Sequence, residues 1–285
     1  MATTVIDGIE THYEVEGSGP PLLMYSPGGF DSKLENWHQL GIYQRTKIMA
    51  YLLNSYTCIS FDRRESGRSG GRVERIGWAD YVRQGIGLLD HLDVDRAYAM
   101  GGCVGCSSVV ALAVAHPDRV RGMVLFSPAG GPKYRMTQHD RFATHAAFVA
   151  EHGLDRVVDL VNSHALGFTK DPRVGPWVTV LRTDPEFARE YVKHDRDDYL
   201  LVVRAIARTQ FDRDTVPGAE PEDLMRLDVP ALIVPGQDSS HATSAARYLQ
   251  ECLPRAEYWN VPVAQQTEQT APTRVLAFLK ETLFG

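Results

Sequence analysis

Met100-Gly101-Gly102-Cys103-Val104-Gly105-Cys106 joins an apolar run at 97–102 to a helix-like stretch at 103–116. Small residues stand two before and two after Cys103, the spacing of a strained strand-to-helix turn that lifts a nucleophile above a sheet edge. A bulky side chain at Gly101 or Gly105 would clash in such a turn. The same placement sets the sulfur at a helix N-terminus, where unpaired N–H groups and the helix dipole favour the thiolate.

Working outward, short apolar runs alternate with amphipathic stretches, which predicts a parallel α/β sheet. Strands are expected at 9–16, 21–25, 57–62, 97–102, 121–127, 229–235 and 256–261, and helices at 79–93, 103–116, 242–252 and 270–281. A Gly/Pro turn at 17–21 suggests that the first two of these strands form a hairpin. Residues 132–218 break the alternation with several consecutive helices, after which strand and helix resume. This reads as a helical cap (132–218) inserted in an α/β core made of 1–131 and 219–285, with a separate second domain as the alternative.

Bulk composition narrows the function. The 285 residues include 30 Lys and Arg against 36 Asp and Glu, a net charge of −6 with the basic residues scattered, which argues against nucleic acid as a partner. No apolar run is long enough for a bilayer and the first residues are too polar for a secretory leader, so no membrane partner and a cytoplasmic location are expected. Four cysteines in such a chain read as reduced thiols. Cys103 and Cys106 also form a C-x-x-C, which raises a redox pair as an alternative, while Cys58 and Cys252 stand alone and supply no second pair of metal ligands. No phosphate loop is present, so no metal and no cofactor are expected.

The chain resembles the α/β-hydrolase superfamily over nearly its full length, through pieces that occur in the family's order. Ser26-Pro27-Gly28-Gly29-Phe30 looks like the oxyanion loop, with Ser26-Pro27 in place of the usual His-Gly. Residues 62–69 (DRRESGRS) look like the turn after the fourth strand, with Glu65 where glycine is usual. The Cys103 elbow, the cap, Gly236-Gln237-Asp238 at the acid position and the closing helix Ala271–Leu279 follow.

The resemblance implies a nucleophile, an acid and a histidine base, and here the chain departs from the pattern. Cys103 stands where most members carry serine, and no His follows the last strand: Gln266, or else Gln265, falls where the base belongs. An amide cannot take a proton near neutral pH. A thiol tolerates this better than a hydroxyl, because a few per cent of it is ionised at pH 7 in any case. Substitute bases are His241, three residues after Asp238, then Glu268, and His139 or His145 from the cap. The oxyanion donors expected are the Val104 amide and one from Gly28, Gly29 or Phe30, with Gln266 holding a water or a substrate group and Trp177 lining the pocket. The expected function is hydrolysis of an ester, lactone, thioester or activated carbonyl compound. The alternative is a non-hydrolytic member of the fold, a lyase, cyclase or binding protein. The partner expected is a small-molecule substrate, with a homodimer left open.

Overall fold

A computed structural model describes residues 2–283 of the chain. These residues build one eight-stranded sheet in the order β1-β2-β4-β3-β5-β6-β7-β8. β1 (Ala2–Ile6) and β2 (Ile9–Gly17) form the entry hairpin, with Ile6 opposite Ile9. The turn between them is Asp7-Gly8, both at positive φ (51° and 72°), the geometry that a two-residue hairpin requires.

The hairpin expected between 9–16 and 21–25 does not form. β2 pairs antiparallel with β4 (Thr57–Phe61), and β4 separates it from β3 (Pro21–Tyr25), which runs parallel to β4. The Gly/Pro segment therefore crosses the start of β4, where Thr57 N–H donates to the Pro20 carbonyl at 3.1 Å. Gly17 permits the approach, since a Cβ there would lie 2.3 Å from the Tyr56 carbonyl oxygen.

α1 (Asn36–Gln39), α2 (Gly41–Thr46) and α3 (Ile48–Leu52) connect β3 to β4. α4 (Trp78–His91) then leads to β5 (Ala97–Gly102), and α5 (Gly105–Ala115) to β6 (Val120–Phe126). After β6 come α6 (Pro132–Ser163, broken at Gly153), α7 (Val178–Thr183), α8 (Pro185–Tyr191), α9 (Arg196–Gln210) and α10 (Pro221–Leu224). β7 (Ala231–Val234), α11 (Thr243–Cys252), β8 (Ala256–Tyr258) and α12 (Ala271–Glu281) complete the order. From β4 to β8 every pairing is parallel.

Strands covered on both faces read as continuous apolar runs, as in β3, β6 and β7. Leu22, Met24, Met100, Val124 and Phe126 face α12 and α3 on one side of the sheet, whereas Leu23, Tyr25, Ala99 and Leu125 face the other. The helices between β6 and β7 continue this second core, so the inserted segment sits over the sheet edge where β5 ends at the elbow. Among the described residues no helix is long and apolar enough to cross a membrane.

Candidate active site

Cys103 sits between β5 and α5 at φ 55°, a left-handed conformation that a residue with a Cβ adopts only under constraint. The constraint is visible on both sides. Its N–H donates to the Phe126 carbonyl at 3.1 Å, and its own carbonyl accepts from Ala129 N–H at 3.2 Å. A Cβ on Gly101 would lie 2.4 Å from the Gly105 carbonyl oxygen, and one on Gly105 would lie 2.2 Å from that of Tyr25. The turn closes only because both positions lack one.

Cys103 is half-buried and its sulfur is approached by the backbone N–H groups of Val104 and Gly28. Gly28, at φ 126°, presents its amide because Asn36 and Asp31 fold the loop back on itself: Asn36 Nδ2 donates to the Pro27 and Asp31 carbonyls at 2.7 and 2.6 Å. Of the three loop residues considered as second donor, Gly28 is the one aimed at the sulfur. Gly29 turns its carbonyl to Arg63, and Phe30 packs its ring on Phe142 and Phe168. The turn at 62–69 braces this loop, since Ser66 Oγ accepts from Ser32 N–H at 3.1 Å and buried Asp62 accepts from Leu34 N–H at 2.8 Å.

His241 reaches the sulfur from the loop after β7. Its Nδ1 lies 2.9 Å from both carboxylate oxygens of Asp238, and the same carboxylate accepts from the Ser240 and His241 amides. Asp238 thus caps its own loop and fixes the ring, leaving Nε2 free to face Cys103. Nε2 is buried with no hydrogen-bond partner among the described residues, and the Cys103 sulfur acts on the ring first through the attraction of opposite charges. Burial pushes the Cys103 thiol up, but the neighbouring imidazolium and the Val104 and Gly28 amides outweigh it and hold the thiol below its ordinary value. Burial pulls His241 down, yet the Cys103 thiolate and then Asp238 raise it to about 9. Each group therefore favours the charged form of the other, the sulfur as thiolate and the ring as imidazolium. Asp238 has a side chain 64% exposed, so water screens its charge and its larger contribution is orientation.

The remaining candidates lie elsewhere. Gln266 is fully buried and its Nε2 donates to the Pro235 carbonyl at 2.8 Å, with Oε1 unpartnered. It braces the loop that carries Asp238. Glu268 is bound to Lys47 and Tyr51. His139 contacts the Phe211 carbonyl, and His145 is enclosed between the Arg173 carbonyl and the Tyr199 hydroxyl. The Trp177 expectation needs correction: its ring is fully buried against Tyr191 and Tyr199 and its Nε1 donates to the Arg72 carbonyl, so it packs the insertion onto the core. Cys106 is buried and gives its S–H to the Gly101 carbonyl; like the other three cysteines it is a free thiol.

Sequence reasoning passed over Arg63, Tyr134, Gln138 and Arg141; Tyr134 feels the charges of Cys103, Arg63 and Arg141. Tyr134, Gln138 and Arg141 recur on one helical face with buried Phe142 and His145, a spacing that could have found them. A separate groove of about 450 Å³ runs between α6 and α9, lined by His139, Phe142, Ala146, Val203 and Arg204, and does not include Cys103.

A profile of the alpha/beta hydrolase fold matches residues 21–169. The 2-hydroxymuconate semialdehyde hydrolase of a Pseudomonas species is 31% identical over 128 residues, 43% of this chain and 41% of that protein. An uncharacterized hydrolase of Bacillus subtilis is 28% identical over 44% of each chain, so the chain aligns with less than half the length of these curated relatives. Among solved structures, a hydrolase from Pseudomonas aeruginosa superposes with a TM-score of 0.64 at 20% identity, over 98% of this chain and 97% of that one. The enol-lactonase of Burkholderia xenovorans superposes with a TM-score of 0.62 at 21% identity, over 98% and 100% of the two chains. At these identities the likeness concerns the fold.

Proposed function

Because the chain belongs to the α/β-hydrolase fold family, we propose that it is a hydrolase using Cys103 as nucleophile, His241 as acid and base, and Asp238 to orient the histidine. The observation that carries this reading is the His241 imidazole, held by Asp238 at 2.9 Å and turned to the elbow thiol. His241, on the loop after β7, stands in this reading for the histidine absent after β8, which supports a hydrolytic protein over a non-hydrolytic one.

In this reading the Cys103 thiolate attacks the carbonyl carbon of an ester, lactone or thioester, and the oxyanion is received by the Gly28 and Val104 amides. The imidazolium of His241 gives its proton to the departing alkoxide or thiolate, leaving an acyl thioester on Cys103. Neutral His241 then takes a proton from water as that water attacks the thioester, and collapse releases the acid and restores the ion pair. The names of two similar proteins, an enol-lactonase and a 2-hydroxymuconate semialdehyde hydrolase, support a hydrolytic reaction on a lactone or carbonyl compound.

The test is intact-mass detection of an acyl-enzyme after mixing with 4-nitrophenyl acetate and quenching in acid, with peptide mapping. Acylation confined to Cys103, and abolished in Cys103→Ala, is the expected result. Nitrophenolate release with no adduct on Cys103, or release that survives Cys103→Ala, overturns the assignment.

A further inference from the structure

One face of α6 carries Tyr134, Gln138 and Arg141, at i, i+4 and i+7, and Tyr134 on that face feels the charge of the Cys103 sulfur. Tyr134 and Gln138 are buried and Arg141 is half-buried. Among the described residues none of the three side chains makes a hydrogen bond, and Arg141 has no carboxylate within ion-pair distance. By contrast Arg135, on another face of the same helix, is bound to Asp214 and to the Phe211 carbonyl.

Across from this face stands Arg63, at the end of β4. It is 4% exposed, and its guanidinium lies 4.3 Å from the Tyr81 ring centre and 5.6 Å from that of Phe30. One nitrogen donates to the Gly29 carbonyl, Nε has no partner, and among the described residues no carboxylate lies within ion-pair distance. Glu65, whose charge feels Arg63, is itself bound by Arg64. Tyr134 joins the two sides: its phenol is raised by burial and by the Cys103 thiolate, and lowered by the charges of Arg63 and Arg141.

A guanidinium kept from water without a counter-ion is costly, and two near one phenol add mutual repulsion. Planar N–H forks match a carboxylate, and tyrosine and glutamine supply neutral donors beside them. We infer that Arg63, Tyr134, Gln138 and Arg141 form a subsite for an ionised carboxylate on the substrate, a few bonds from the carbonyl that Cys103 attacks. The substrate class is then an ester or lactone that bears a second, free carboxylate. This rests on the hydrolase reading for the word substrate, but the anion site stands or falls separately.

Two measurements separate them. The first is protection of Cys103 from iodoacetamide by glutarate, with neutral glutaramide as the control. Glutarate is expected to slow alkylation at least about tenfold at saturation and glutaramide not to. The half-protecting concentration should rise on the order of tenfold to a hundredfold in Arg141→Gln, where a charge-assisted pair is lost. Arg141 is half-buried, so this variant tests the site where Arg63→Gln could fail to fold. Equal protection by the two compounds, or Arg141→Gln binding glutarate as tightly as the parent, overturns the subsite. The second is kcat/KM for mono-4-nitrophenyl glutarate against 4-nitrophenyl butyrate, a ratio expected above about 10 in the parent and close to 1 in Arg141→Gln. Protection by glutarate with no acylation by either ester keeps the subsite and removes the hydrolase reading. Acylation by both esters at equal rates, with no protection, does the reverse.

Discussion

Replacing His241 by glutamine removes the cation beside Cys103 while keeping a side chain of similar reach for Asp238. Burial pushes the thiol up, the His241 charge and the Val104 and Gly28 amides pull it down, and of the downward influences only the amides survive the substitution. The histidine rises from 6.5 to about 9 despite its own burial, which corresponds to about 3 kcal/mol. Part of that belongs to Asp238, so the share coupled to the thiolate is about 2 kcal/mol, or about a thirtyfold change in ionised sulfur. Iodoacetamide alkylation followed from pH 5 to 10 by peptide mass spectrometry measures this directly, with buried Cys58, Cys106 and Cys252 as internal references. The parent should give an apparent pKa below that of an ordinary thiol. His241→Gln should move it above that value and slow alkylation at pH 7 by about thirtyfold or more. An unchanged profile would mean that the Val104 and Gly28 amides and the α5 N-terminus hold the thiolate alone, and would leave His241 without a role in activation.

Activity should follow a bell in pH, falling on the acid side as the depressed Cys103 thiol is protonated and on the alkaline side near 9, as His241 loses the proton meant for the leaving group. The same raised histidine contributes stability that is full below about 6.5 and lost as pH rises through 9, so unfolding by urea should become easier over that window. Glu65, fully buried at φ 64° and raised from 4.5 to about 7, makes the folded state hold its proton longer than the unfolded chain. Stability should therefore fall by about 3 kcal/mol between those two pH values, and Glu65→Gln should flatten that slope in urea titrations. Gly105→Ala drives a Cβ to 2.2 Å from the Tyr25 carbonyl oxygen and 2.9 Å from its carbon, atoms of a central strand that cannot yield, and should cost roughly 3 kcal/mol or more in urea unfolding.

The layered fold was legible because strands covered on both faces read as apolar runs and helices covered on one face read with a longer period. What escaped was strand pairing. Nothing in residues 9–25 says that β4, arriving more than thirty residues later, will slip between β2 and β3. β1 escaped because it is an exposed edge strand held by β2, with little apolar alternation of its own. At the site, the tight turn at Cys103 and the nearness of Asp238 to His241 were readable from local spacing, since each involves residues only a few positions apart. Which of His241, Glu268, His139 and His145 lies beside the sulfur was not, because that depends on the closure of the β7 loop over the end of β5. Trp177 shows the same limit from the other side, because a large aromatic residue in a helical insertion can face a cavity or fill a core, and here it fills the core.

The position of His241 also makes it depend on glycines that do no chemistry. The loop from Gly236 to Ala242 is clamped against the start of the helical insertion: Gly130 N–H donates to the Ser240 carbonyl at 3.0 Å, and Ala242 N–H returns a bond to the Gly130 carbonyl at 3.3 Å. At the base of this loop a Cβ on Gly236 would fall 2.4 Å from Cβ of His241 and 2.9 Å from its carbonyl oxygen. Relief needs a displacement of about 1 Å, enough to cost on the order of a hundredfold when a reacting group is misplaced. Gly236→Ala should therefore lower kcat/KM for a simple aryl ester about a hundredfold and slow Cys103 alkylation at pH 7 in parallel, because one movement takes the imidazolium from both the thiolate and the leaving group. Gly167→Ala, where a Cβ meets nothing within 4 Å, is the matched control. Gly236→Ala that keeps both rates within a factor of about three would show that the histidine can move without consequence. If the ester rate falls while alkylation holds, the loop shapes the substrate's surroundings and does not set the charge on the sulfur.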